Sequence, residues 1–340
     1  MHMADALVSP AVGGTLWAVS CGVMAWCVRQ LRATFQDSLV PMMGVLGAFV
    51  FTAQMINFTI PGTGSSGHLG GGLILAVLLG PCAAFLVIAS VLIVQAFFFA
   101  DGGLLALGCN MFNLGFYPAF VAYPLIYRGI AKGRYTSPAA WVAAVLAAVV
   151  GLQLGAFSVV LETKASGVSE LPFGTFALLM SPIHLAIGVV EGLATAAVVS
   201  FVARARPEAL RASGELAAAG SLKPVLAGLA LAAALLGGGI SWFASAHPDG
   251  LEWAIAKVTG KEEVTGVESG LRARLDSLQR RTAALPDYGF RTADAGAESG
   301  EASWPAVDAG TSLSGIAGGL VTCVLVCFLG FALRRRRPAG

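Results

Sequence analysis

The first two residues of the chain, Met1-His2, carry three nitrogen atoms that one metal ion can bind together. These are the α-amine of Met1, the amide nitrogen of His2 once it is deprotonated, and the imidazole of His2. The planar peptide bond between the two residues keeps the donors in one plane. A planar set of nitrogen donors favours Ni²⁺ or Cu²⁺ over Zn²⁺. The terminus therefore predicts three ligands of a planar metal site.

His68 is the best candidate for the fourth ligand in that plane. It lies in the segment Pro61-Gly-Thr-Gly-Ser-Ser-Gly-His-Leu-Gly-Gly-Gly72, half of which is Gly. Gly tolerates φ > 0 and lets the backbone approach other groups closely. We expect the segment to form a re-entrant loop that presents His68 to residues 1–10. The alternative interpretation is a frayed terminus beside a flexible loop with an incidental His.

The composition is that of a membrane protein. Of 340 residues, 56% are hydrophobic and 12% are charged, whereas a soluble domain has roughly 25% charged residues. Apolar runs recur, each long enough for a helix to cross a hydrocarbon layer roughly 30 Å thick. The predicted fold class is all-α, a polytopic helical bundle in a lipid bilayer. The net charge of +2 gives no reason to expect a nucleic-acid partner.

About nine transmembrane helices are predicted, with the N-terminus outside and the C-terminus cytoplasmic. This orientation places the basic groups that follow the first, fifth, seventh and last spans in the cytoplasm. The pair Gly80-Pro81 should break the chain between the third and fourth spans. No basic region precedes the first span, so we expect no cleaved signal peptide and a retained Met1 amine. The predicted spans are Ala11–Val28, Val40–Thr59, a short Gly71–Leu79, Ala83–Phe99, Phe112–Tyr127, Pro138–Leu161, Phe173–Val202, Leu222–Ser245 and Leu313–Leu333.

The chain divides into two predicted domains. Residues 1–203 hold seven closely spaced spans, and residues 204–221 form a polar cytoplasmic linker. Residues 222–340 form a two-helix hairpin around an extracytoplasmic segment, 246–312. Within that segment, Leu251–Val258 and Val267–Arg280 are predicted to be helical. The composition of Asp294–Gly310 indicates disorder.

Several polar residues are predicted near the outer ends of the spans, at the depth where the terminus and His68 would meet. A buried amide or carboxylate there could bind the second imidazole nitrogen of a metal-binding His and fix its tautomer. The alternative is polar contact between helices, or helix capping. The candidates for this supporting role are Asp5, Gln95, Asp101, Asn110 and Asn113.

The motifs of enzymes and nucleotide-binding proteins are missing from the sequence. It contains neither GxxxxGK[ST] nor HExxH, and no arrangement typical of a Ser/His/Asp triad. We therefore expect no catalytic activity and no nucleotide bound by this chain. Active transport would need energy from another chain or from an ion gradient.

Separate motifs, in order along residues 1–203, resemble the substrate-capture (M) subunits of energy-coupling-factor transporters for nickel and cobalt. The tail resembles the accessory (N) subunit of the nickel system, through Pro248-Asp-Gly-Leu-Glu252 and Pro286-Asp-Tyr288. Residues 3–6 depart from the family pattern: position 3 is Met, and Ala-Asp-Ala follows where the nickel branch commonly has Pro-Asp-Gly. The motifs of the first part are Met1-His-Met-Ala-Asp-Ala-Leu-Val-Ser-Pro10, Gly67-His-Leu-Gly-Gly-Gly72, Leu79-Gly-Pro81, Gln95 with Asp101-Gly-Gly103, Leu107-Gly-Cys-Asn-Met-Phe-Asn113 and His184-Leu-Ala-Ile-Gly-Val-Val-Glu-Gly192.

The resemblance implies a metal held by the Met1 amine, the His2 amide and imidazole, and the imidazole of His68. It implies an ATP-driven importer in the cell inner (cytoplasmic) membrane that captures Ni²⁺ or Co²⁺ from outside. Its partners would be a transmembrane coupling (T) subunit and two ATP-binding subunits. The ion would supply cobalamin synthesis or nickel metalloenzymes, and the accessory tail favours nickel.

The alternative is a stand-alone, ion-coupled secondary metal transporter. In that case Asp101, Glu191 and His184 would form a proton relay. Many secondary transporters are built from inverted repeats, and the first seven predicted spans show no evident repeat of that kind.

Overall fold

The computed structural model describes residues 2–34, 37, 39–206, 222–262, 264, 270–291 and 304–334. The described chain is mostly helical, with one small β-hairpin and short 3₁₀ turns. We number the helices α1 to α11 in chain order; α5 is a compound helix whose central part has the wider π form. The elements are α1 Pro10–Thr34, α2 Leu39–Gln54, β1 Phe58–Ile60, β2 Ser65–Gly67, α3 Gly72–Leu79, α4 Pro81–Phe99, α5 Leu107–Met111 with Phe112–Tyr127 and Arg128–Ala131, α6 Pro138–Ser166, α7 Phe173–Ala205, α8 Lys223–Gly238, α9 Gly250–Thr259, α10 Leu271–Thr282 and α11 Ala309–Leu333.

Among the described residues, 5 helices are long and apolar enough to cross a membrane. They are α1, α4, α6, α7 and α11. Each corresponds to a predicted span, and most of the helix ends lie within a few residues of the predicted ends. Helices α2 and α8 are apolar but shorter. The π form in α5 contains Pro118 and Pro124, which lack the N–H that an α-helix needs at interior positions.

Helix α3 is a short interior helix and not a full crossing. It has 8 residues, all of them buried, and spans about 12 Å at 1.5 Å per residue. Gly80, at φ 80°, ends α3, and Pro81 begins α4. The predicted break at Gly80-Pro81 is confirmed. The short apolar run thus fills the centre of the bundle because neighbouring helices cover every face of it.

The glycine-rich segment contains a β-hairpin that an all-α prediction misses. Strands β1 and β2 pair antiparallel, with Phe58 opposite Gly67 and Ile60 opposite Ser65. The turn between them contains Gly62 and Gly64, both at positive φ. Short strands joined by a glycine turn have too little hydrophobic pattern to be predicted, and the sequence therefore predicted a loop here.

The C-terminal hairpin packs directly on the first domain. Helices α8 and α11 both contact α2 and each other. The approach is close at Gly315, where a Cβ would lie 2.4 Å from the carbonyl oxygen of Gly237. Small residues let helices in membranes pack at short distance. Most of the predicted linker lies outside the described residues, which resume at residue 222.

The extracytoplasmic segment predicted for 246–312 contains two helices, α9 and α10. Asp249 caps α9: its Oδ1 accepts hydrogen bonds from the amides of Leu251 (2.8 Å) and Glu252 (2.9 Å), and Glu252 accepts from the Asp249 amide. This reciprocal capping explains why the helix starts there. The part predicted to be disordered lies largely outside the described residues, and its end, from Ala309, is helical.

Helices α6 and α7 form the most extensive helix pair in the described chain, and glycine makes it possible. A Cβ added to Gly192 would lie 2.3 Å from the Cα of Val145. We expect Gly192→Ala to lower the free energy of unfolding by about 1–3 kcal/mol, the usual cost of overpacking. The measurement is the thermal unfolding midpoint of the purified protein in detergent.

Gly174 provides the matched control in the same helix. A Cβ there meets nothing within 4 Å, and Ala is a better helix former than Gly. Gly174→Ala should leave the midpoint unchanged or raise it slightly. Equal losses in the two variants would contradict the packing argument.

Candidate metal-capture site

The N-terminal segment lies inside the protein, where three hydrogen bonds fix it at Met3. The Met3 amide donates to Oδ1 of Asn110 (2.8 Å), and Nδ2 of Asn110 donates to the Met3 carbonyl (3.2 Å). The amide of Gly103 donates to the same carbonyl (2.9 Å). Met3 is fully buried. One asparagine therefore satisfies both backbone groups of a buried residue, as a buried backbone requires.

Glycine at 102 and 103 allows this close approach. A Cβ on Gly103 would lie 1.9 Å from Oδ1 of Asp5, and Gly102 has φ 78°. Asp5 accepts a hydrogen bond from the amide of Ala106 (3.0 Å). The terminus and the 102–106 loop thus fit together backbone to backbone.

His2 and His68, 66 positions apart in sequence, are in ring contact. Their imidazoles are stacked, with centroids 5.0 Å apart and planes inclined by 23°. Nδ1 of His2 lies 2.8 Å from Oδ1 of Asp101. Nε2 of His2 is buried and has no hydrogen-bond partner among the described residues. A buried imidazole nitrogen without a partner is unusual.

The electrostatics favour a neutral His68 and a charged Asp101. Burial lowers the pKa of the His68 imidazole to about 3; a neutral imidazole is the form that binds metal ions. Burial acts to raise the pKa of Asp101, but its contacts with His2 and Tyr288 outweigh burial and the pKa is lowered. At neutral pH the site therefore holds a neutral His68 imidazole and a negative charge beside His2.

The loop carrying His68 is held by side chains from three helices. Glu191 of α7 accepts from the amides of Gly70 (2.7 Å) and Gly71 (3.2 Å). Gln54 of α2 donates to the carbonyl of Gly70 (2.7 Å), and Gln95 of α4 donates to Gln54 (2.8 Å). These contacts fix the backbone two residues beyond His68.

His184 and Asp249 lie next to His68 around a cavity of about 10 Å³. Nδ1 of His184 is 2.8 Å from the carbonyl of Met180. Asp249 comes from the segment predicted to be extracytoplasmic, and the carbonyl of its neighbour Pro248 accepts a hydrogen bond from the amide of Ser66 (2.8 Å) in β2. The second domain therefore contributes to the wall of the site.

The predicted supporting residues occupy different places. Asp101 contacts His2 and Asn110 binds Met3, whereas Gln95 reaches the His68 loop only through Gln54. Asp5 holds the 102–106 loop. Asn113 donates to Glu162 of α6 (2.8 Å) and also contacts the sulfur of Met3 (4.0 Å).

The residues of the alternative proton relay each have a separate partner. Asp101 contacts His2 and Tyr288, Glu191 accepts from the loop amides, and His184 contacts a carbonyl of its own helix. No hydrogen bond described here joins the three.

Sequence reasoning did not identify two residues near the site, Asp249 and Tyr288. Tyr288 donates to Oδ2 of Asp101 (2.5 Å). The only signal was that both belong to the motifs that mark the accessory tail. Asp249 lies 181 positions from His68, and Tyr288 lies 187 positions from Asp101, so spacing offered no guide. Met1 lies outside the described residues.

Family models divide the chain in the same way as the sequence motifs. The model of the cobalt uptake substrate-specific transmembrane region, CbiM, matches residues 2–209. The model of the PDGLE domain matches residues 223–335. The first match alone covers more than half of the chain.

Individual relatives extend the similarity to both parts. A fused nickel transport protein, NikMN, of Archaeoglobus fulgidus is 34% identical over 342 residues, which are 98% of this chain and 98% of that protein. The cobalt transport protein CbiM of Geobacter sulfurreducens is 29% identical over 229 residues, 65% of this chain and 64% of that protein.

Two crystal structures share the fold of the first part. One, of a transition metal transporter, has 30% identity and a TM-score of 0.53, and covers 60% of this chain and 93% of that chain. The other, of a truncated transition metal transporter, has 28% identity and a TM-score of 0.54, and covers 60% of this chain and 99% of that chain. With its buried N-terminal segment and apolar helices, this multi-pass membrane chain belongs to the CbiM family of nickel and cobalt transport proteins, which are not enzymes, and it carries a PDGLE domain in the same polypeptide.

Proposed function

We propose that this chain is the substrate-binding membrane component of an ATP-driven energy-coupling-factor importer that captures Ni²⁺ or Co²⁺ from outside. One observation carries the proposal: a His at position 2 lies inside the protein and stacks on His68. A terminal residue is ordinarily mobile, so its burial beside a second imidazole calls for a function.

The ligands in this proposal are the Met1 amine, the His2 amide, the His2 imidazole and the His68 imidazole. The contacts of Met3 support this ligand set. Asn110 holds the backbone of Met3, and this fixes the position of the adjacent residue, His2. Binding must displace protons from the amine and the amide, so affinity should fall in acid. The ion is the transported substrate, and no nucleotide site belongs to this chain in the proposal.

Nickel is the favoured substrate over cobalt. The donor set prefers ions that accept planar coordination. The relative that matches 98% of the chain is named as a nickel transport protein. The uptake of the ion would supply nickel metalloenzymes, or cobalamin synthesis if cobalt is the substrate.

The proposed domain organisation and membrane topology follow from the resemblance to the nickel and cobalt transporters. Residues 1–203 form the metal-capture domain, 204–221 the linker and 222–340 the accessory domain. The chain lies in the inner membrane with about nine transmembrane segments, its N-terminus outside and its C-terminus cytoplasmic. A transmembrane coupling subunit and two ATP-binding subunits complete the importer. In this topology α3 is a half-crossing, and the chain returns to the same side through α4.

An N-terminal extension tests the ligand set most directly. Adding a few residues before Met1 converts its amine into an amide and leaves every side chain in place. We expect near-complete loss of Ni²⁺ and Co²⁺ binding by the purified protein, measured by isothermal titration. Retained affinity would refute the terminal chelate.

Single His substitutions test the imidazole ligands. His2→Ala and His68→Ala should each lose at least a hundredfold in Ni²⁺ affinity, because loss of a group that only orients a ligand already costs roughly 10–100-fold. His247→Ala is the control: the carbonyl of His247 accepts a hydrogen bond from the Ser66 hydroxyl, and the substitution keeps that carbonyl. It should bind Ni²⁺ as the wild type does, and loss of binding in this control would point to general misfolding.

Glu191→Gln tests whether the loop must be held. The substitution keeps the size of the side chain but removes one of the two acceptor oxygens that bind the amides of Gly70 and Gly71. We expect Ni²⁺ affinity to fall by roughly tenfold, as for other groups that orient a ligand. Glu170→Gln, at an exposed position, should have no effect on the same titration. Unchanged affinity in Glu191→Gln would mean that the loop holds His68 without it.

A further inference from the structure

The accessory segment, defined here as residues 270–291, is docked on both sides of Asp101. Nε2 of Gln279 donates to the carbonyls of Ala96 (3.0 Å) and Gly102 (2.7 Å). The amide of Leu285 donates to the carbonyl of Phe98 (3.1 Å). These are backbone contacts with the end of α4 and the loop after it. The segment therefore fixes the stretch of chain from which Asp101 projects.

Tyr288 of this segment is aimed at Asp101. Its hydroxyl donates to Oδ2 of Asp101 (2.5 Å), and its ring stacks on Phe99 with centroids 4.9 Å apart. Asp287 and Tyr288 both have positive φ, at 52° and 59°. This conformation is unfavourable for residues with a Cβ, and such strain is concentrated at functional sites.

The two oxygens of Asp101 have different partners. Oδ2 binds the Tyr288 hydroxyl, and Oδ1 lies against Nδ1 of His2 (2.8 Å). Tyr288 therefore reaches His2 through one carboxylate. Charge-assisted hydrogen bonds of this kind are short and directional.

The chemistry of the chelate gives this contact a role. A small ring that includes the His2 amide can close only through Nδ1, because Nε2 is on the far side of the imidazole. Nδ1 is the nitrogen that Asp101 contacts in this structure. The contact with Asp101 therefore sets the rotation of the His2 ring before an ion binds, and an ion that takes Nδ1 would replace Asp101 at that nitrogen.

We propose that Tyr288 is a positioning residue for metal capture: it fixes Asp101, which orients the imidazole of His2. The accessory domain thereby completes a site whose ligands all belong to the first domain. The inference rests on the proposed function, since it concerns the same metal site.

The test is a double-mutant cycle on the full chain in detergent, with Ni²⁺ as the ligand. Tyr288→Phe removes the hydroxyl and retains the ring that stacks on Phe99. We expect its Ni²⁺ dissociation constant to rise about tenfold, the lower end of the range for residues that orient a ligand. Asp101→Asn should cost at least as much. Tyr288→Phe should cost nothing further in the Asp101→Asn background, because it acts through Asp101.

The visible absorption of bound Ni²⁺ gives a readout that a purely structural role would not move. It should shift in Tyr288→Phe while the thermal unfolding midpoint stays close to that of the wild type. The control is Tyr117→Phe, which also loses a hydroxyl hydrogen bond, to Ser158 (2.6 Å), and should bind Ni²⁺ normally.

Three results would overturn the inference: Tyr288→Phe binding within twofold of the wild type, tighter binding in that variant, or losses that add in the double variant. The proposed function is judged separately by the wild type and His2→Ala in the same titrations. If the wild type does not bind Ni²⁺, the proposed function fails. If the wild type binds Ni²⁺ and His2→Ala does not, but Tyr288→Phe binds as tightly as the wild type, only the positioning role fails.

Discussion

The structure around the site depends on the clamp that Asn110 places on Met3. A chain terminus has a large conformational entropy to lose, and two hydrogen bonds from one side chain, with a third from Gly103, fix its backbone. The immediate consequence is the position of His2, the residue before the clamp. The clamp is effective because Met3 is fully buried, so its backbone groups have no water to bind instead.

The site also requires close backbone contact at two positions, and both are glycine. At Gly103 a side chain would overlap Asp5, and at Gly71 a side chain would overlap Val50. The first contact admits the terminus and the second seats the loop that carries His68. The carboxylate of Glu191 accepts hydrogen bonds from the amides of Gly70 and Gly71 in this loop. A buried carboxylate is costly unless it is hydrogen-bonded, and this one has backbone donors at short distance.

The two domains meet at this site and not only along their helices. Asp249 borders the cavity beside His68, and Tyr288 binds the carboxylate beside His2. Fusion of the domains in one chain keeps these groups at high effective concentration. Helices α9 and α10 are thus part of the architecture of the candidate site, although they lie far from it in sequence.

Hydropathy and glycine-proline punctuation were enough to predict the membrane class, the helical fold, the break at Gly80-Pro81 and the approximate ends of the long helices, because these depend on local composition. The chelating potential of Met1-His2 and the candidacy of His68 could also be predicted, since they follow from the chemistry of single residues. The hairpin at Phe58–Gly67 and the buried half-length of α3 could not, because they depend on what covers each segment. Only the tertiary structure decided that Asp101 contacts His2, that Glu191 holds the loop, and that Asp249 and Tyr288 reach the site. Those contacts join residues from 99 to 187 positions apart, and contacts of that range are set by helix packing and not by any local pattern.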